Sequence, residues 1–281
     1  MRTINADLHC HSSVSDGLLR PAQLVQRAKE NGVELLALTD HDEIGGLAEA
    51  RDQAAAVGLD FVNGAEISVS WGEDQTVHIV ALGFDAAHQA LVEGLAQVRG
   101  GRDSRAQRMA AELDKVGIHG AYEGALKYAG NPALISRAHF ARYIVELGHA
   151  KDVNSVFDWW LAKGKPGYVA HPWATLEDAM AWILGAGGLA VVAHPGRYRL
   201  SKAQLHELFA AFKDLGGHGI EVISGAADGE QVREFAQVAR QYGFLASRGS
   251  DFHGPGESWV DLGRMADLPP DLEPVWNRLP R

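Results

Sequence analysis

The chain has 281 residues, 46% of them hydrophobic, and a formal net charge of −10, enough for a sizeable core in one large α/β domain or a main domain with an insertion. Its 26 basic residues form no block, which argues against wrapping a long duplex but leaves an anionic substrate open, because bound divalent cations can reverse the local field. No run approaches the ~20 apolar residues of a membrane span, no secretory signal opens the sequence, and the single cysteine, Cys10, excludes an internal disulfide, so a cytoplasmic protein is expected.

Short apolar runs alternate with helical periodicity, the pattern of a parallel sheet or barrel. "TINADLH" is predicted as the first strand and continues into "NADLHCHSSVSDG", Asn5 to Gly17. Alternation there puts Asp7, His9 and His11 on one side and Leu8 and Cys10 on the other. A helix follows in "RPAQLVQRAKENG", with Pro21 near its start and Gly32 ending it. Strand two, "VELLALTD", runs into Asp40, His41 and Asp42, and "GGLAEARDQAAAVG" reads as the next helix. Strand three, "LDFVNGAEISV", holds a lone Glu66, and strand four, "TVHIVALGF", carries His78.

From about Ala86 to Gly187 only helices are predicted, in "RDSRAQRMAAELDKVG", "SRAHFARYIVELG", "SVFDWWLAKG" and "TLEDAMAWILGAG". This stretch reads as a helical insertion, dividing the chain into a barrel of residues 1–98 and 186–281 and a small cap of residues 99–185. Strands then resume in "GLAVVAHP", "GIEVI" and "FLASRGSDF", bringing His194, Asp251 and His253, with helices in "SKAQLHELFAAFKDLGG" and "GEQVREFAQVARQYG". Seven strands predict a barrel one strand short of the eight-stranded kind; a doubly wound sheet is the competing topology.

In a (β/α) barrel, reactive groups sit where the βα loops converge, at the C-terminal ends of the strands. His and Asp/Glu residues fall at six of the seven predicted strand ends. Singly, each has a structural explanation: Glu66 could open a loop, His78 could be a hydrogen-bonded core histidine and Asp251 could cap a helix. Together they would be heavily destabilised by desolvation unless cations organised them, which points to a polynuclear metal site.

In order, "DLHCHSSVSDG", "LTDHD", "GAEIS", "HIVALGF", "AHPGR" and "GSDFHG" resemble the motifs of the PHP (polymerase and histidinol phosphatase) family, from residue 4 to about 255 apart from the insertion. The resemblance implies an α/β fold, a distorted TIM-like (β/α)7 barrel, with a phosphoesterase site of two or three divalent metal ions. By position, His9, His11, Glu66 and Asp251 would hold one metal, and Glu66 would bridge to a second held with His78 and His194. Asp16, His41 and His253 would hold a third; several relatives have a histidine in place of Asp16. His9, His11, Glu66, His194 and Asp251 are thereby the candidate catalytic set. Asp7 and Asp40 are expected behind them, orienting imidazoles or bridging water. Mixed imidazole and carboxylate ligands suit Mn²⁺, Fe²⁺ or Zn²⁺, with Mn²⁺ favoured. "AHP" occurs twice; His194, after a buried strand, takes the ligand role, and His171 is left as a substrate contact or plain structure.

Within the family, "SRAHFA" and "GKPGYVAHPW" are similar to the branch that hydrolyses nucleoside 3′,5′-bisphosphates, whose relatives are also described as 5′→3′ exoribonucleases on short RNA. The implied reaction is attack of metal-activated water on a phosphomonoester without a covalent enzyme intermediate. Ser136 as N-cap, with Arg137, Ala138 and His139 in the first turn of a helix, offers a phosphate seat; Phe140, Ile144 and Leu147 are its expected buried stripe. Arg102, Asp103, Ser104 and Arg105 are further candidate substrate contacts, with the two arginines sharing a helix face, while Met109, Leu113 and Val116 should face the core. Arg197 follows His194 closely enough to reach the reacting phosphate. Tyr143, Trp159 or Trp173 could stack on a base. A nucleotide or short single-stranded RNA is the expected partner, with no duplex, membrane or obligate protein partner. The competing readings are another small phosphomonoesterase, such as a histidinol phosphatase; a C–N amidohydrolase, for which no bridging lysine candidate stands out; and a metal-binding module without catalysis.

Overall fold

The computed structural model describes residues 4–72, 75–225 and 227–279; Thr3, at the start of the predicted first strand, lies outside them. Among the described residues seven strands pair in chain order: β1 Ala6–Asp7, β2 Leu35–Leu38, β3 Asp60–Trp71, β4 Gln75–Leu82, β5 Leu189–Val192, β6 Gly219–Ser224 and β7 Leu245–Gly249. The backbone N–H of Leu8 donates to Arg248 O at 3.1 Å and that of Asp251 to His9 O at 2.8 Å. These bonds join the first strand to the last and round the sheet into a barrel.

One strand departs from the parallel pattern. β4 runs antiparallel to both β3 and β5. Residues 72–74 are the whole connection between β3 and β4, too few for a parallel crossover, so the pair forms a hairpin. The reversal matters because His78 faces Ser68 in register and therefore reaches the same rim as the C-terminal ends of the other strands. β3 itself continues past Glu66 to Trp71, which leaves Glu66 in mid-strand rather than at an end.

Both faces of the sheet are buried, as a barrel wrapped in helices requires. Ala6, Leu8, Ala37, Val80, Leu82, Val191 and Ala193 plug the interior with Val275 and Leu279. Their alternates, among them Leu36, Leu38, Ile79, Ala81 and Val192, pack outward against helices. The helices follow in chain order: α1 Pro21–Glu30, α2 Leu47–Val57, α3 Gln89–Arg99, α4 Arg102–Asp114, α5 Ala121–Leu126, α6 Arg137–Glu146, α7 Val153–Val156, α8 Leu176–Gly185, α9 Lys202–Asp214 and α10 Gly229–Tyr242. Pro21 occupies the first turn of α1, and Gly58 and Gly243 end α2 and α10 with left-handed backbones at φ 66° and 62°.

The helical stretch divides unevenly. Ala106, Met109, Leu113, Ile118, Phe140, Ile144, Val156 and Leu161 belong to a hydrophobic cluster of their own, contributed by α4 to α7 and the π turn Phe157–Leu161. Helix α8, assigned by the sequence to the insertion, instead places Leu176, Ala179, Met180 and Ile183 in the main core. It packs there beside α3, with Gly94 so close to Trp182 that a Cβ would lie 2.4 Å from the indole. Leu147 and Val116, expected in the insertion's interior, are 43% and 44% exposed, because α6 and α4 end at Glu146 and Asp114. Ile118 fills the core in place of Val116.

Candidate metal and phosphate site

Strand ends and the loops after them, with the β3–β4 hairpin that carries Glu66 and His78, bring nine side chains to one rim of the barrel. Their donor atoms form four overlapping groups, each within 4.8 Å: His11, Asp16, His41 and His253; His9, His11 and Asp251; His9, Glu66 and His194; His41, Glu66 and His78. These are the nine sequence-predicted ligands. Their grouping is more interwoven than the family pattern implies, since His11 also stands with Asp16 and His253, and His41 with Glu66 and His78.

Glu66 is the hub. Its Oε1 lies 2.8 Å from His78 Nδ1 and 2.8 Å from His194 Nε2. Its Oε2 lies 2.8 Å from His41 Nδ1 and 3.3 Å from Nε2 of both His9 and His11. That second oxygen is buried and makes no hydrogen bond. Nitrogens also face nitrogens, at 3.1 Å between His9 and His11 and 3.2 Å between His78 and His194. Two such rings share at most one proton, so lone pairs converge on the same space. A buried carboxylate oxygen without a hydrogen bond, ringed by imidazoles, is the arrangement that divalent cations satisfy. Cys10 turns away, its Sγ 3.2 Å from Ala37 O.

The charges couple tightly. Burial opposes ionisation of Glu66, but the imidazoles of His78, His41 and His9 outweigh it and hold the carboxyl well below its usual range. Burial likewise opposes charge on Asp251, yet Arg197, His9 and His253 keep it well below the carboxylate norm. Burial, reinforced by His253 and His41, lowers His11 to about 3. A neutral His11 and ionised carboxylates are the forms that bind metal. Backbone strain gathers here too: among the described residues the non-glycines with positive φ are Asp42 at 52°, His194 at 25° and Asp251 at 51°.

Asp7 and Asp40 support loops rather than imidazoles. Asp7 accepts the backbone N–H groups of Ser250 and Gly263, both at 2.9 Å. It does not share a face with His9: Ala6 and Leu8 both lie in the barrel plug while Cys10 packs in the outer core, so the alternation breaks between Leu8 and Cys10. Asp40 accepts from Ser12 N at 2.8 Å, Ser12 Oγ at 2.7 Å and Ser15 Oγ at 2.6 Å, fixing the loop that delivers Asp16. Burial raises its carboxyl to about 6. The carboxylate that does orient a ligand is Glu221 of β6, which sequence reasoning passed over. Its Oε1 lies 2.6 Å from His9 Nδ1, and its Oε2 accepts the backbone N–H of His194 at 2.6 Å. The signal lay in "GIEVI", a lone acid in an apolar strand.

The donor cluster opens into a cavity of ≈ 760 Å³. Arg102, Arg105 and Arg137 from the insertion line it, as do Ser136, Ala138 and Arg197. Trp173 is a shared platform: the guanidinium carbons of Arg102 and Arg105 lie 4.8 and 5.3 Å from its ring centre. The platform is tied to the hairpin, through Trp173 N to Ser70 Oγ at 2.8 Å and Trp173 Nε1 to Thr76 Oγ1 at 3.1 Å. Arg102 also pairs with Asp42, whose carboxylate holds Ser68. Burial, with Arg137 and Arg102 nearby, lowers the pKa of Arg105. Arg197 pairs with Asp251.

Asp103, Ser104 and His139 are not on the cavity wall. Neighbouring helix positions turn by about 100°, so only one face of α4 looks inward. Asp103 bonds Tyr122 and Gln107, and Ser104 Oγ turns back to Gly101 O at 3.2 Å. His139 closes a capping box, its Nδ1 accepting Ser136 N–H at 3.0 Å. Ser136 Oγ meanwhile donates to Asp16 Oδ2 at 3.0 Å, tying the insertion to the donor cluster. His171 stacks edge-on against Trp173, 4.4 Å away, outside the donor groups. Tyr143 packs in the insertion's own core, and Trp159 is 68% exposed away from the cavity.

Comparison with known proteins agrees with this chemistry. A 3′,5′-nucleoside bisphosphate phosphatase of Chromobacterium violaceum is 51% identical over 275 residues, covering 98% of this chain and 96% of that protein. A 5′-3′ exoribonuclease Rnm of Escherichia coli is 44% identical over 272 residues, 96% and 92% of the two chains. Among solved structures, a chain from Chromobacterium violaceum described as an amidohydrolase with bound sulfate and no metal matches with a TM-score of 0.94 at 51% identity, over 98% and 95%. A metal-dependent phosphoesterase from Bifidobacterium adolescentis matches at 0.80 and 28% identity, over 97% and 93%. The PHP domain model itself matches residues 7–224, from the first strand to the end of β6. Motifs, barrel and relatives agree, and the chain belongs to the PHP domain family.

Proposed function

We propose that this protein removes the 3′-phosphate of nucleoside 3′,5′-bisphosphates, such as adenosine 3′,5′-bisphosphate, giving the 5′-monophosphate and inorganic phosphate. It also releases nucleotides from the 5′ end of short single-stranded RNA. One observation carries the reading: Arg102, Arg105 and Arg137 line the same cavity as seven of the nine metal donors, an arrangement suited to a ligand with two phosphates. The nucleotide phosphatase and exoribonuclease relatives support the same substrate class.

Two or three divalent ions, Mn²⁺ in preference to Fe²⁺ or Zn²⁺, would be held by His9, His11, Asp16, His41, Glu66, His78, His194, Asp251 and His253. Such ions supply activated water and offset charge gathering on the phosphate. The protein's own groups do the rest. Glu221 fixes the His9 ring through Nδ1. Arg197, beside Asp251, adds positive charge next to the reacting phosphate. Arg102, Arg105 and Arg137 seat the 5′-phosphate, relieving their mutual repulsion. Holding both ends of the nucleotide positions the 3′-phosphate for in-line attack.

The test is phosphate release from adenosine 3′,5′-bisphosphate, adenosine 5′-monophosphate and histidinol phosphate, with Mn²⁺ restored after chelation. Hydrolysis of the bisphosphate with the 5′-monophosphate left intact is expected. Hydrolysis of histidinol phosphate alone would replace this reading with the other phosphomonoesterase, and no hydrolysis at all would favour a silent metal-binding module.

A further inference from the structure

With one phosphate at the arginines and the other at the donor cluster, the far side of the cavity has no role. Arg102 and Trp173 stand over one half of the barrel, paired with Asp42 after β2 and with Ser70 and Thr76 of the β3–β4 hairpin. Across the donor cluster the cavity continues over the ends of β5, β6 and β7, past Arg199, Ser224, Gln231 and Trp259. Trp259 is 77% exposed, more than any other large hydrophobic side chain among the described residues. Yet its loop is braced. Ser258 Oγ accepts the N–H groups of His253 and Gly254 at 2.7 and 3.3 Å, and Arg142 grips Glu257 through hydrogen bonds of 2.8 and 2.7 Å. Arg199 is exposed, and no hydrogen bond or ion pair among the described residues holds its guanidinium.

An indole held open on a fixed loop, lining the same cavity as a guanidinium unpaired among the described residues and continuous with a phosphate site, has the parts of a single-strand nucleotide seat: a face for a base and a charge for its backbone. We infer that this arm, on the phosphatase reading above, is a second nucleotide subsite. It takes the nucleotide that follows the reacting phosphate in short RNA, with its base on Trp259 and its own 3′-phosphate at Arg199. Bisphosphate and RNA then undergo one reaction. Water adds to phosphorus, the P–O3′ bond breaks, and O3′ of the departing 5′-nucleotide takes a proton from that water. The phosphate stays on the 5′-oxygen of the shortened RNA, or leaves free when no further nucleotide is attached. Each shortened RNA therefore carries the 5′-phosphate that the arginine wall binds next.

The experiment compares Trp259→Ala and Arg199→Ala with the wild type, as full-length protein with Mn²⁺, by kcat/KM on adenosine 3′,5′-bisphosphate and on a 5′-phosphorylated trinucleotide. Bisphosphate hydrolysis should be unchanged in both variants, which also reports correct folding. RNA hydrolysis should fall about tenfold in Trp259→Ala, the scale of losing one base stack, and Trp259→Phe should recover most of it. Equal losses on both substrates, or no loss on RNA, would overturn the subsite. A wild type that hydrolyses the bisphosphate but no RNA would also overturn it and leave the phosphatase standing. A wild type inactive on both would remove the phosphatase reading, and the subsite with it.

Discussion

Glu221 sits behind His9 and beneath His194, touching both without belonging to the donor groups. Its carboxylate accepts a hydrogen bond from the Nδ1–H of His9, which leaves Nε2 as the lone-pair nitrogen toward Glu66 and Asp251. Glu221→Gln keeps the volume but removes the charge, so the Mn²⁺ concentration for half-maximal phosphate release should rise about 10- to 100-fold. An unchanged Mn²⁺ dependence would deny Glu221 that role. Period-two alternation makes His9 and His11 legible in the sequence, and the rarity of an acid inside an apolar strand marks Glu66. The latter signal marks Glu221 as well. Asp7 misleads because the alternation breaks after Leu8, before Cys10, a backbone irregularity that residue types do not encode. Asp103 and Ser104 mislead because a contiguous segment was read where a helix exposes only one face.

At the scale of elements, the hairpin and the insertion decide where the chemistry can happen. The strands read from the sequence leave only residues 70–75 between the third and the fourth, already too few for a parallel crossover, yet strand-by-strand reading makes every strand parallel. The insertion is anchored through α6, and its anchor titrates. His139 Nδ1 accepts the Ser136 N–H only when unprotonated, and burial, with Arg142 and Arg102 nearby, lowers its pKa from 6.5 to about 4. The unfolded chain therefore binds a proton between those values that the folded chain does not, so this contribution to stability is full above pH 6.5 and is lost as pH falls toward about 4. Glutamine at the same position of a capping box also accepts the N-cap N–H but does not titrate. His139→Gln should flatten the fall in denaturant stability across that window by about 1–3 kcal/mol. Asp40, with its carboxyl raised to about 6, pulls the other way, favouring the fold as pH falls through that value. Both proteins share that effect, so the difference between their curves isolates His139. Parallel curves would contradict the assignment.

For the whole molecule, closure of the barrel is what turns distant motifs into one site. The His9–Asp251 and Leu8–Arg248 backbone bonds bring the two ends of the sheet together. Gly249 lies so close to His9 that a Cβ there would meet the His9 Cβ at 2.2 Å, a contact that only glycine permits. The seven strands and their order were legible from alternating apolar runs and helical periods. The limits of the insertion were not, because α8 has an apolar face that fits either a cap or a barrel, and only packing decides. Among the described residues no helix is long and apolar enough to cross a membrane. On the proposed reading, cations gather imidazoles and carboxylates that would otherwise repel or strand one another. The most direct measurement is therefore the manganese retained per chain, by elemental analysis after loading and exhaustive dialysis. Two or three ions in the wild type, with loss of at least one in Glu66→Ala, is the expected result; a wild type that retains no more manganese than Glu66→Ala would contradict it.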